Sequence, residues 1–162
     1  MKKYVNLIVG GVAAGAMIAV AAALYLKIGG FYGAMMFSIG LLTILWYGFS
    51  LYTGKIGQLL VNHNPLQLLL ILFSNFIGCC TIFVFDIGDA AQAISNRFTT
   101  SLHLVFSLAI VCGICIEAAV DQFKAGKWYA VPFYVMAFIL CDARHCIAEF
   151  CYILAAQQLH LQ

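Results

Sequence analysis

The side chains best able to do chemistry in this sequence are ionisable or hydroxyl groups set within long apolar runs. His145 stands out, in Asp142-Ala143-Arg144-His145, which interrupts an otherwise hydrophobic stretch. Imidazole titrates near physiological pH. A small anion entering a low-dielectric constriction loses hydration at a cost on the order of several kcal/mol. A nearby imidazolium, or a proton passed to the anion, lowers that cost, and a weak acid then crosses in neutral form. The plainer reading of His145 is a ring bonded to a carbonyl freed at a helix break. Asp142, Arg144, Glu149 and, earlier in the chain, Glu117 can form a buried charge network, because buried charges are costly unless paired. Such a network either lines a path or only holds the chain in place, and Arg144 can also bind an anion directly. Thr53 lies in a second interruption, Ser50-Leu51-Tyr52-Thr53-Gly54-Lys55. Its hydroxyl can follow an anion or a gate, or make only a local backbone bond.

A different chemistry is raised by Cys112-x-x-Cys115 together with His103 and His145, since histidines and cysteines ligate haem and metals. Metal sites usually need a second cysteine pair or suitably spaced histidines, and no second Cys-x-x-Cys is present. The seven cysteines all fall in apolar segments and read as small packing residues. The expectation is therefore no cofactor, no metal and no enzymatic chemistry, with a haem or metal redox protein as the competing class.

These groups must be positioned by a chain that is 65% hydrophobic and 9% charged over 162 residues. Soluble domains carry about 25% charged residues, so most of this surface faces lipid. A net charge of +2 gives no footprint for nucleic acid. A helix needs about 20 apolar residues to cross the hydrocarbon core. Five spans are expected, at residues 4–26, 31–60, 66–85, 101–123 and 128–156, forming a single transmembrane domain over 1–162. The fold class is an all-α integral membrane bundle. The basic start at Lys2-Lys3 precedes an apolar run too long for a signal peptide, and a retained first span is expected.

The second and fifth spans are overlong and interrupted, and they begin alike, with Gly30-Phe31-Tyr32 and Gly126-Lys127-Trp128-Tyr129. The chain divides into halves of about 1–86 and 100–162, each with its broken helix in second place. Paired broken helices in inverted halves point to a transport site near the bilayer midplane, because freed backbone groups are tolerated in a membrane only beside a cavity or within protein. With the N-terminus cytoplasmic, Lys2, Lys3, Lys124 and Lys127 fall inside, against Lys27 and Arg97 outside, which satisfies the bias of basic residues toward the cytoplasm.

Several segments, in order, resemble the formate/nitrite transporter family. They are Ala14-Gly15-Ala16-Met17-Ile18; Phe37-Ser38-Ile39-Gly40-Leu41 followed by Leu51-Tyr52-Thr53-Gly54; Asn75-Phe76-Ile77-Gly78; Cys112-Gly113; and Phe138 followed by His145-Cys146-Ile147-Ala148. The likeness runs over nearly the whole chain. Gly113 stands where the family has asparagine, Arg144 where it has glutamate and Glu149 where it has asparagine, and five spans stand against the family's six.

The resemblance implies an aquaporin-like inverted-repeat bundle with two broken helices, assembled as a homopentamer in a bacterial inner membrane. Each protomer would pass small monovalent anions such as formate, nitrite or hydrosulfide, with proton coupling at a central histidine. On that likeness Leu51, Tyr52 and Thr53 belong to a gating loop, and Phe37, Leu41 and Phe138 to apolar constrictions. Ile116 and Gly113 line the path, His145 is the central histidine, and Arg97 draws anions into a vestibule. By composition alone Phe37, Leu41 and Phe138 are packing residues. The runner-up function is a non-conducting accessory or assembly subunit of the membrane.

Overall fold

In the computed structural model, which describes residues 2–56, 64–84 and 102–140, the first apolar run forms one unbroken helix, α1 (Lys2–Ile28). Its buried residues include Gly11, Ala14, Gly15 and Ile18. That three- and four-residue spacing makes one face of small side chains, against which other helices can lie close. Gly29 and Gly30 take φ values of 67° and 51°, in the left-handed region where only glycine is unstrained. They reverse the chain, so α2 (Gly30–Tyr47) runs antiparallel to α1, with Gly33 against Tyr25 and Gly40 against Ala21.

After a short helix, α3 (Thr53–Ile56), the next described element is α4 (Pro65–Cys79). Its start follows from the sequence: Asn64 caps it by accepting the Leu66 N–H at 3.0 Å, and Pro65 occupies the first turn, where its missing N–H costs nothing. The helix tightens into a 3-10 turn at Cys80–Val84. Helix α4 lies parallel to α1 and very close to it. A Cβ on Gly15 would overlap the Asn75 carbonyl, and one on Gly78 would overlap the Val12 carbonyl. Both glycines are therefore required by approach of backbone to backbone.

The remaining helices are α5 (Leu102–Lys124) and, after a 3-10 turn at Trp128–Ala130, α6 (Val131–Leu140). Helix α6 packs on α2 and α5, while α3 packs on α5. The order around the bundle is thus α4, α1, α2, α6, α5, and one apolar core joins them, containing Ile18, Phe37, Leu41, Ile116 and Val135.

Large apolar side chains point outward along the helices, among them Val9 (62% exposed), Phe73 (64%) and Ile114 (64%). Three helices, Lys2–Ile28, Gly30–Tyr47 and Pro65–Ile82, are long and apolar enough to cross a membrane. The chain is all-helical among its described residues, as expected for an integral membrane protein. The two similar span starts also share geometry. Gly30 and Gly126 both have positive φ. Each precedes an exposed aromatic pair in edge-on contact, Phe31–Tyr32 at 5.8 Å and Trp128–Tyr129 at 6.2 Å. Such pairs suit the membrane–water interface.

Candidate functional site

The site is built on the interruption between α2 and α3. Helix α2 stops at Gly48, whose φ is 66°. The Gly48 N–H donates to the Leu45 carbonyl at 3.2 Å, and the Phe49 N–H donates to the Ile44 carbonyl at 3.0 Å. Those two bonds are the Schellman stop, in which a left-handed glycine ends the helix and uses its last carbonyls. The interruption therefore begins at Gly48, two residues before Ser50, where composition alone places it. Thr53 and Lys55, expected within the interruption, stand on the helix that resumes after it.

Non-helical backbone inside a membrane bundle must find partners for its polar groups. Here every N–H from Gly48 to Tyr52 has one. The Ser50 N–H donates to the Gly10 carbonyl at 3.2 Å, and the Leu51 N–H to the Phe49 carbonyl at 3.1 Å. Asn75 completes the set from α4. Its Oδ1 accepts the Tyr52 N–H at 2.8 Å, while its Nδ2 donates to the Ser50 carbonyl at 2.8 Å and to the Gly11 carbonyl at 2.9 Å. The amide uses both donors and one acceptor lone pair, and only this orientation matches the two carbonyls and the N–H. Asn75 is 2% exposed, so this is a buried clamp tying α1, the interruption and α4 together.

One polar atom beside the clamp is left over. The hydroxyl of Thr53 is buried and has no hydrogen-bond partner among the described residues. A cavity of about 180 Å³, lined by the neighbouring Gly54 and not by Thr53 itself, opens between the end of α2, the interruption, α3 and the end of α5. Its walls include Ile44, Gly48, Phe49 and Leu51, with the two lysines Lys55 and Lys124 among them. The Lys55 ammonium lies 3.5 Å from the Ser50 hydroxyl. Lys124 lies 3.7 Å from the Asp121 carboxylate, both side chains being more than half exposed. Level with this cavity, Trp46 on α2 meets Phe123 on α5 edge-on, with ring centroids 6.3 Å apart.

No protein-family model, no curated protein and no solved structure matches this chain. The site therefore rests on its own geometry. Of the residues singled out from sequence, the structure gathers Phe37, Leu41, Leu51 and Ile116 into one buried apolar cluster, with Tyr52 and Thr53 half-buried at its edge. Gly113, on α5, lies apart: it is exposed, and a Cβ there would meet nothing within 4 Å. Glu117 is half-buried on the same helix. Phe138 falls on α6, its side chain outside the described residues, while Arg97, Asp142, Arg144, His145 and Glu149 all lie outside them. So does the second interruption, and with it the inverted pairing of broken helices.

The interruption sits toward one end of α1. The interruption contacts Gly10 and Gly11, about 7 Å along α1 from its midpoint at the helical rise per residue, on the side of Lys2. Among the described residues no three His, Cys, Asp or Glu side chains gather as metal ligands. Cys112 and Cys79 are buried, and Cys115 and Cys80 half-buried.

Two participants were not named as site residues from sequence, although Asn75 belongs to the third-span motif quoted above. Asn75 was visible as a polar residue in the middle of an apolar helix, a type that often ties membrane helices together. Gly48 was visible as a glycine closing a long apolar run.

Proposed function

We propose that this chain is a membrane channel or transporter for small monovalent anions of the formate, nitrite and hydrosulfide class. The observation that carries the reading is the sealed interruption. A span is broken, its backbone groups are paired by a buried asparagine, the Thr53 hydroxyl has no partner among the described residues, and a lysine-bearing cavity opens at the break. Irregular backbone at membrane depth is tolerated where it is buried in protein or lines a cavity, and here the clamped interruption lines one. A structure that guides ions needs irregular backbone held rigidly, with polar groups free for the passing ligand.

On this reading Leu51, Tyr52 and Thr53 form the gate, and Phe37, Leu41 and Ile116 make the dry constriction behind it. Hydrophobic constrictions of this kind control flow by dewetting. His145 is the proton-exchanging group, as the family resemblance implies. The N-terminus is cytoplasmic, and the protein works as a homopentamer in a bacterial inner membrane, as the family resemblance implies.

The test is anion uptake into proteoliposomes, comparing formate, nitrite and hydrosulfide across pH for wild type, Thr53→Val and His145→Asn. We expect Thr53→Val to slow flux at least about tenfold, the scale of one lost hydrogen bond to a charged ligand, and His145→Asn to abolish its pH dependence. Absence of flux for all three anions, from protein shown to be folded, would instead favour the accessory-subunit reading.

A further inference from the structure

We propose that the cavity beside the interruption is a binding site for one small monovalent anion, with Lys55 supplying the charge and Lys124 standing at the rim. The proposal deepens the transport reading and rests on it for the class of anion. Three observations lead to it. The walls are apolar apart from backbone and the two lysines, and no carboxylate lines them among the described residues. The Lys55 ammonium carries three donors, yet among the described residues its one partner is a neutral hydroxyl at 3.5 Å, the long limit of a hydrogen bond. Lys55 is also partly buried, where an ammonium lacking a counter-charge is costly.

An anion in the cavity resolves that mismatch. The volume of about 180 Å³ equals the share of roughly six liquid waters at about 30 Å³ each. It therefore admits an anion of three or four heavy atoms with part of its hydration shell. Lys124 is held by Asp121 only through an exposed contact at 3.7 Å, a type worth little in water, so its charge still acts on the cavity. Lys55 stands two residues beyond Thr53, and an anion held there waits beside the gate.

The test uses the full chain in a neutral detergent and follows thermal unfolding as nitrite is titrated, with gluconate holding ionic strength. Wild type should show saturable stabilisation. The half-saturating concentration should rise at least about tenfold in Lys55→Gln, as expected for a lost charge-assisted hydrogen bond, and stay close to wild type in Lys55→Arg. Lys124→Gln should have the smaller effect. As a second measurement that needs no variant, nitrite should slow amine-reactive labelling of Lys55 in wild-type protein while leaving Lys2, Lys3 and Lys27 unchanged, read by peptide mass spectrometry. An equal nitrite response in wild type and Lys55→Gln, or labelling of Lys55 unaffected by nitrite, overturns the site. A response to phosphatidylglycerol but not to nitrite also overturns it, by giving the lysines to lipid headgroups. Binding without flux would remove the transport reading and leave this site standing, whereas flux without binding would do the reverse.

Discussion

The chain stops a helix in the same way twice, at Gly48 and at Gly126, and does opposite things afterwards. At Gly126, with φ of 79°, the Gly126 N–H donates to the Phe123 carbonyl and the Lys127 N–H to the Gln122 carbonyl, at 3.0 and 2.9 Å. That repeats the bond pattern at Gly48. Beyond Gly126 the chain is exposed, with Lys127, Trp128 and Tyr129 all turned outward. Beyond Gly48 it turns inward, to Ser50 and Leu51, which are 6% and 5% exposed. Water can satisfy the first turn's backbone. The second turn needs Asn75 and Gly10. The local stop is therefore cheap and general, and the cost of placing it inside the bundle falls on residues far away in sequence.

Asn75→Leu should break that arrangement with the largest effect. Leucine keeps the branching of asparagine but its methyls are bulkier than the amide, so the loss combines unmade hydrogen bonds with some overpacking. It leaves the Tyr52 N–H unpaired and removes the donor from the Ser50 and Gly11 carbonyls. Each buried orphan costs about 1–3 kcal/mol, and we expect about 3–5 kcal/mol in all, measured as a lower unfolding midpoint in detergent. No substitution at Gly126 or Lys127 should approach it. If Asn75→Leu unfolds as wild type does, the clamp does not hold the interruption.

Gly15→Ala should come next. The added methyl would overlap the Asn75 carbonyl, so α1 and α4 must separate. Overpacking of this kind costs typically about 1–3 kcal/mol, and here it also shifts the clamp. Gly113→Ala, where a Cβ meets open space, is the matched control and should raise stability by about 0.5–1 kcal/mol through helix propensity while leaving flux within error.

How much of this could be read from residues alone depends on the range of the interaction involved. The helical spans, the Asn64-Pro65 start and the turn after Lys124 are local: caps, glycines and apolar periodicity act over four or five residues. The interruption of the second span was legible from Lys55 and the polar residues around it, but its true start at Gly48 was not, because Tyr47 and Phe49 on either side continue the apolar pattern. The clamp was less legible still. Asn75 bonds partners 23, 25 and 64 positions away, and nothing local distinguishes it from a polar residue satisfied within its own helix. Phe37, Leu41, Leu51 and Ile116 belong to the general apolar core, a placement their residue types alone lead one to expect. That the Thr53 hydroxyl lacks a partner among the described residues is a property of the assembled bundle and has no signature in the sequence.

Thr53→Val tests that last point. Replacing an unpartnered buried hydroxyl by a methyl of the same shape removes a desolvation penalty, so the variant should be more stable by about 1–2 kcal/mol even as its flux falls. A stability gain with flux unchanged would make the hydroxyl an idle defect. A stability loss would mean that the hydroxyl has a partner, such as an ordered water.

The smallest effect gives the sharpest form of the comparison. Alanine in the left-handed region costs about 1 kcal/mol more than glycine, so Gly48→Ala and Gly126→Ala should lower stability by similar small amounts, each relieved by shifting the helix end. At Gly126 such a shift moves an exposed turn. At Gly48 it moves Phe49 and Leu51, which line the cavity, and pulls on the Ser50 carbonyl held by Asn75. Equal losses in unfolding midpoint should therefore come with unequal transport, flux falling in Gly48→Ala and holding in Gly126→Ala. Were both variants to conduct alike, the inward stop would be only a way of ending a helix, and the function would have to lie elsewhere in the chain.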